Sequence, residues 1–149
     1  MSIKPALTYR PARSYTKAAA APLRAGVPET LKRLKRAGVR LTVLSASEHG
    51  MLCRQLRQRG VYGLFDEVLG LGDFRAQDKL GIAREWCART RPARALMIGD
   101  TDHDAAVAAA IGAVCVLYTG GHQSRARLEK VSPYVIDDLA QLPALLETI

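Results

Sequence analysis

Acidic residues are missing from the first part of this chain, since residues 1–22 contain neither aspartate nor glutamate. Residues 1–60 hold 13 Lys and Arg, and their only acids are Glu29 and Glu48. A basic surface of this kind can bind nucleic acid, but the chain has only two Phe and one Trp to stack on bases. We therefore interpret the basic residues as solvated helix faces and do not expect nucleic acid to be a partner.

Long apolar runs are also absent, which excludes a membrane-spanning segment of about 18 residues and the core of a secretory signal. The chain has three cysteines, Cys53, Cys87 and Cys115, which are widely spaced and form no CxxC pair. This spacing argues against a zinc site or a disulfide framework and favours small buried side chains in a reducing compartment. We therefore expect a cytoplasmic protein with no membrane partner.

From residue 27 onward, patterns typical of helices and strands alternate along the chain. The pattern predicts helices at 27–37, 47–59, 77–89, 104–111, 124–130 and after residue 139, and strands at 39–44, 65–71, 95–98, 113–118 and 134–136. Such alternation implies right-handed crossovers and a parallel sheet covered on both faces. We predict a single doubly wound, Rossmann-like α/β domain over residues 23–149, preceded by a separate N-terminal segment and linker at 1–22.

Three carboxylates follow one predicted strand almost directly. After the apolar run 95–98 comes Gly99, and then Asp100, Asp102 and Asp104. Ligands bind beyond the carboxyl ends of strands in open α/β sheets, and acids crowded there usually need a cation such as Mg²⁺. Asp102 and Asp104 have a second interpretation, as capping residues that favour the positive end of the next helix without touching a metal.

Ser45 directly after a strand, Lys79 at the start of a helix and Gly99-Asp100-xxx-Asp104 after a later strand occur in a recognisable order. In this order and spacing they resemble the haloacid dehalogenase superfamily, specifically its phosphoglycolate-phosphatase-like branch. Residues 38–45 look like the second motif of that branch and residues 99–104 like its fourth. The resemblance covers roughly residues 23–149 and implies the core domain of the family without its cap domain.

The resemblance implies a Mg²⁺-dependent phosphatase that acts on small phosphate monoesters through a phospho-aspartate. The Ser45 hydroxyl and backbone N–H groups at Ala46 would hold phosphate oxygens, and Lys79 would place a positive charge on the phosphoryl group. Asp100 would bind Mg²⁺ and Asp104 would support the metal site. The expected partner is a small phosphorylated molecule.

Some of these residues also have purely structural interpretations. Ser45 is also typical of a turn residue or helix cap, and Ser47 is typical of an N-cap. Lys79 follows Asp78 and could form an exposed ion pair with it, which would stabilise the protein little. No chemistry is predicted for the two histidines nearest the acidic turn, which we expect on loops: His103 and His122.

The sequence departs from the family at its first motif, Asp-x-Asp-Gly-Thr, which supplies the nucleophile and the general acid. The nearest counterpart, residues 6–11, contains no carboxylate. The chain is therefore a phosphatase domain by descent whose own activity is in doubt, and the alternative is a non-catalytic module that keeps a phosphate or Mg²⁺ pocket.

The same motif normally supplies the central strand, so its absence raises a folding problem. Without that strand, the strands at 39–44 and 95–98 would have unpaired backbone groups. Three segments could fill the gap: residues 3–9, a strand from a second copy of the chain, or upstream sequence. We favour residues 3–9 despite Pro5, and a homo-oligomer formed by strand exchange is the second expectation.

Overall fold

The computed structural model describes residues 6–9, 26–72, 78–121 and 123–149, and its elements follow the alternation predicted above. Short 3₁₀ turns precede the third strand and the last helix. The strands are β1 (Ala6–Tyr9), β2 (Arg40–Glu48), β3 (Glu67–Leu71), β4 (Ala95–Gly99), β5 (Val114–Tyr118) and β6 (Tyr134–Ile136). The helices are α1 (Val27–Arg36), α2 (His49–Gln58), α3 (Lys79–Thr90), α4 (Asp102–Ala110), α5 (Arg125–Glu129) and α6 (Leu142–Leu146).

The six strands form one sheet in the order β3-β2-β1-β4-β5-β6, and every neighbouring pair is parallel. The order runs outward from β1 to β3 in one direction and from β4 to β6 in the other. This is the doubly wound α/β arrangement that the alternation predicted, so the predicted fold class is confirmed.

The central position of the sheet is filled by β1. The backbone of Leu7 pairs with Leu41 on one side and with Leu96 on the other. One strand therefore satisfies the inner edges of both β2 and β4, as a buried sheet requires. Among the three segments that could fill this place, the structure uses part of residues 3–9, and residues 3–5 lie outside the described residues.

Helices cover both faces of the sheet and bury its apolar side chains in two main layers. On one face α1, α2 and α6 pack against the side chains of β2 and β4 such as Leu41 and Ile98. On the other face α3 and α4 pack against Leu44 and Met97, with Trp86 of α3 in the same cluster. Alternate residues of β2 and β4 thus point to opposite layers, which explains why β4 is an unbroken apolar run.

Two boundaries differ from the prediction in ways that matter for the site. The second strand does not stop at Leu44 but continues to Glu48, and Glu48 rather than Ser47 caps α2 by accepting bonds from two backbone N–H groups. The cap prediction for Ser47 was therefore wrong. The fourth helix starts at Asp102, two residues earlier than predicted, so His103 lies on an exposed position of α4 and not on a loop.

None of the helices in the described part of the chain has the length and apolar character needed to cross a bilayer. The three cysteines are free thiols, with Cys53 buried and the other two partly buried. The cytoplasmic location and the domain boundary at residue 22 stay predictions.

A proline at Leu7 tests the central position of β1. Proline removes a ladder hydrogen bond and is found in sheets essentially only at edges or bulges. Because Leu7 lies between two partner strands, we expect Leu7→Pro to lower the free energy of unfolding by about 1–3 kcal/mol, the cost of an unsatisfied buried backbone group. The measurement is urea unfolding followed by circular dichroism, with Leu7→Val as the control that keeps the N–H. Superimposable curves for Leu7→Pro and the parent would show that β1 is not the central strand.

Candidate functional site

Four of the predicted site residues, Ser45, Lys79, Asp100 and Asp104, lie at the carboxyl edge of the sheet, where the strands end. Ser45 follows the part of β2 that pairs with β1, and Asp100 follows β4. The two strands flank β1, so they run about 10 Å apart, twice the spacing of neighbouring strands. Lys79, the first residue of α3, reaches the same edge through its contact with Asp104. The topology therefore brings together residues that are 55 positions apart in the chain.

Asp104 is the most completely bonded side chain of the site. Its Oδ1 accepts a charged hydrogen bond from Nζ of Lys79, while its Oδ2 accepts from the backbone N–H groups of Asp100 (3.1 Å) and Thr101 (3.3 Å) and from the Thr101 hydroxyl (3.0 Å). Asp104 is 0% exposed and Lys79 is 3% exposed. An ion pair this deeply buried needs both partners, because removing one would leave an uncompensated charge.

Local sequence explains how Asp104 reaches this place. The Thr101 hydroxyl caps α4 by accepting a hydrogen bond from the Asp104 N–H. The Asp104 carboxylate in turn accepts a hydrogen bond from the Thr101 N–H, and the two bonds together form a capping box. Asp104 thus makes the capping contact that its structural interpretation predicted. Gly99 leaves the space, since a Cβ there would overlap the Asp104 carboxylate.

Asp100 is buried beside a glycine of the next loop. It is 6% exposed, and a Cβ on Gly121 would lie 2.5 Å from Asp100 Oδ2. Only a residue without a side chain allows the loop after β5 to lie this close to the carboxylate. No sequence pattern indicated this contact between Gly121 and Asp100.

Asp102 is held by two residues that the sequence did not point to. Its N–H donates to Gln123 Oε1 (2.8 Å), and Gln123 Nε2 donates back to Asp102 Oδ1 (3.0 Å). Nε and Nη2 of Arg127 both donate to Asp102 Oδ2, at 3.2 and 2.8 Å. The bonds from Gln123 and then Arg127 lower the pKa of the Asp102 carboxyl. This clamp ties the loop after β5 to the first turn of α4, and no sequence pattern links residues so far apart.

The end of β2 satisfies most of its own polar groups. Oγ of Ser45 accepts from the Ser47 N–H at 3.1 Å, and the two hydroxyls bond to each other at 3.1 Å. Glu48 accepts from the N–H groups of Gly50 and Met51, which lower the pKa of its carboxyl. The N-terminus of α2 is thus already capped by an acid of this chain.

The partly buried thiol of Cys115 lies near the ion pair. Burial raises the pKa of Cys115 to about 12, and the negative charge of Asp104 adds to the shift while Lys79 opposes it. Because the thiolate is the reactive form, Cys115 is an inert part of the core at neutral pH.

The carboxylates of the site can be compared with the ligands that a magnesium ion requires. Among the described residues, no three His, Cys, Asp or Glu side chains come together as metal ligands. Both oxygens of Asp104 already accept hydrogen bonds, and Asp100 is the buried carboxylate that directly follows β4. Mg²⁺ is often held by one or two carboxylates together with water and substrate phosphate. The residues therefore fit a metal that binds together with a phosphate group, with Asp100 as ligand and Asp104 as its support.

Replacement of Lys79 tests the buried ion pair. We expect Lys79→Met to lower the free energy of unfolding by about 3–5 kcal/mol, because it leaves the Asp104 carboxylate buried without a cation. The double variant Lys79→Met/Asp104→Asn removes the stranded charge and should recover part of the loss. Urea denaturation measures both.

The matched control is Lys32→Met, at an exposed lysine of α1 that has no ion pair with another described residue. Equal stability of Lys79→Met and Lys32→Met would contradict the assignment of the Lys79–Asp104 pair as a structural element.

Gly99→Ala tests the close packing of β4 against Asp104. The added methyl group would overlap the Asp104 side chain, and overpacking of this kind typically costs about 1–3 kcal/mol of stability. The control is Gly63→Ala, since a Cβ at Gly63 meets no atom within 4 Å. Thermal unfolding of the two variants should therefore differ, and a Gly99→Ala protein as stable as Gly63→Ala would disprove the contact.

Comparison with known sequences supports the resemblance noted from the motifs. The family model described as HAD-hydrolase-like matches residues 74–142. A phosphoglycolate phosphatase of Vibrio vulnificus is 31% identical over 120 residues, which is 78% of this chain and 53% of that protein. The tyrosine-protein kinase PtkA of Mycobacterium tuberculosis is 30% identical over 127 residues, which is 83% of this chain and 44% of that protein. The chain thus spans about half the length of the curated relatives it matches.

Solved structures share the fold. A predicted phosphoglycolate phosphatase from Haemophilus somnus superposes with a TM-score of 0.77 at 22% identity, over 89% of this chain and 61% of that one. A haloacid dehalogenase-like hydrolase family protein from Streptococcus pneumoniae gives a TM-score of 0.77 at 13% identity, over 98% of this chain and 100% of that one. Sheet order, motif order and these similarities agree, and the chain belongs to the haloacid dehalogenase superfamily, in its phosphoglycolate-phosphatase-like branch.

Proposed function

We propose that this domain binds the phosphate group of a small phosphate monoester and does not itself carry out the phospho-aspartate reaction. The observation that carries the proposal is the identity of the central strand. Ala6–Tyr9 occupies the place between β2 and β4, and residues 1–22 contain no carboxylate to act as nucleophile or general acid.

Covalent phosphoryl transfer needs a positioned nucleophile, and the acids present here are poorly suited to that role. Asp104 uses both carboxylate oxygens in hydrogen bonds and is fully buried. Asp100 lies at the end of β4, packed against Gly121, and not at the end of β1. Neither residue can take the place of an acid that follows the central strand.

The remaining groups suit binding. The Ser45 hydroxyl and the backbone at Ala46 would hold phosphate oxygens, and Lys79 would contribute a positive charge that it shares with Asp104. Asp100 would hold Mg²⁺, which when bound would neutralise charge on the phosphate oxygens. The matching relatives support a ligand of this class, since both the phosphatase and the kinase are named for chemistry on phosphate groups.

A second candidate function is a complete Mg²⁺-dependent phosphatase. It is favoured by the length of the curated relatives, of which the chain spans about half. In that case another segment or polypeptide would supply the nucleophile. That segment would have to displace Ala6–Tyr9 from its pairing with both neighbouring strands.

Two measurements on the full chain distinguish these functions. With p-nitrophenyl phosphate and Mg²⁺ we expect no hydrolysis above background, either for the parent or for Asp100→Asn. Turnover that disappears in Asp100→Asn would overturn the non-catalytic assignment and favour the phosphatase.

Calorimetry with inorganic phosphate, with and without Mg²⁺, tests binding itself. We expect Ser45→Ala to weaken binding about tenfold, because a hydrogen bond to a charged group contributes about 1.5–3 kcal/mol. The control is Thr148→Ala, which removes an exposed hydroxyl near the C-terminus. Failure of the parent protein to bind phosphate under either condition would rule out the proposed site.

A further inference from the structure

A cleft lies at the opposite, amino edge of the sheet, far from the candidate site. It has a volume of about 310 Å³ and is bounded by the first residues of β4 and β5 and the ends of α3 and α4. From Ala95 in its wall to Asp100 the chain runs the length of β4, about 16 Å. A ligand in this cleft would therefore occupy a site separate from the one described above.

The lining of the cleft combines two cations with an apolar wall. Arg91 and Arg94 are its charged residues, and none of the described residues that line it is acidic. Both arginines are exposed, and neither forms an ion pair with another described residue. The wall between them is apolar and includes Pro92, Ile111 and Val114.

The charge balance of the cleft favours an anion. The carboxyl ends of α3 and α4 point to this edge, and each carries a partial charge of about −0.5. Two guanidinium groups supply two positive charges, so the balance is about one positive charge in favour of the arginines. The arginines therefore do more than neutralise the helix ends.

The backbone at Arg91 is held in an unusual conformation. Arg91 caps α3 with φ of 43° and ψ of 59°, and it is the one non-glycine residue with positive φ among the described residues. Glycine is the usual residue in this position, because a Cβ is strained in the left-handed region. The chain thus carries an arginine at the rim of the cleft where glycine would be more stable.

We propose that this cleft binds a small organic carboxylate with an apolar body. The planar guanidinium groups of Arg91 and Arg94 match the geometry of a carboxylate, which they can bind through paired hydrogen bonds. The apolar wall contacts the body of the ligand, and the volume lies at the lower end of the range for ligand sites. The site is independent of the proposed phosphate site.

Benzoate is a suitable probe, and benzyl alcohol is its uncharged counterpart. In ¹H–¹⁵N NMR titrations of the full chain at fixed ionic strength, we expect benzoate to shift the amides of Arg91, Arg94, Gly112 and Val114 in a saturable way. Benzyl alcohol should leave them nearly unchanged.

The key variant is Arg91→Gly, which removes a guanidinium group and relieves the positive φ. It should fold at least as stably as the parent and weaken benzoate binding about tenfold or more, since the charge-assisted hydrogen bonds of one guanidinium group are lost. Arg94→Gln should weaken binding similarly. Arg84→Gln is the control, because Arg84 is an exposed residue of α3 outside the cleft.

Three results would overturn the proposal. The first is that benzoate causes no saturable shifts at the cleft, whether it causes none at all or shifts the amides of Asp100 and Gly121 instead. The second is an equal response to benzyl alcohol. The third is unchanged benzoate affinity in a well-folded Arg91→Gly protein.

Discussion

The buried ion pair between Asp104 and Lys79 is the interaction on which the rest of this edge depends. It joins the start of α3 to the start of α4, and through the second oxygen of Asp104 it also fixes the turn at Asp100 and Thr101. Removing either charge of a pair buried this deeply is strongly destabilising, because the remaining charge would lie unsolvated in the core. The lysine that could act on a phosphate group is therefore also a structural residue, and its two roles cannot be separated by a single substitution.

The central strand β1 meets the requirements of the fold but is not followed by the carboxylates that the family reaction requires. Pairing on both sides of β1 requires only backbone groups in an extended conformation, and Ala6–Tyr9 meets that requirement. The reaction expected of the family requires something further, namely carboxylates that follow the strand. The sequence after Tyr9 continues with Arg10 and Pro11 and contains no acid before Glu29. Fold membership is thus compatible with the loss of a reaction, since function depends on particular side chains and not on the sheet that carries them.

Much of this architecture could be predicted, because it follows from local pattern. The apolar run that became β4 is visible in the sequence as a buried strand, and Asp104 is visible as a residue that caps the next helix. Other features depend on contacts between distant residues. The strand at Ser45 continues to Glu48 because it pairs again with β3 beyond an irregularity in register. The clamp of Gln123 on Asp102 exists only because the fold brings α4 and the loop after β5 together. Lys79 was identified by its place in the motif order, but the sequence contained no indication that its partner is Asp104.

The two edges of the sheet differ in how many of their charged groups and helix N-termini already have partners within the chain. In a parallel α/β sheet the helix N-termini point to the carboxyl edge, which normally makes that edge favourable for anions. Here Glu48 occupies the N-terminus of α2, and Thr101 with Asp104 occupies that of α4. Lys79 is likewise engaged by Asp104. Under the proposed function, a phosphate at this edge would be held by the groups at Ser45 and by a cation at Asp100, with Lys79 adding a charge that it shares with Asp104. The amino edge keeps Arg91 and Arg94, which form no ion pair with a described carboxylate. The internal caps stabilise the helices at the expense of the donors that a phosphate-binding edge would otherwise offer.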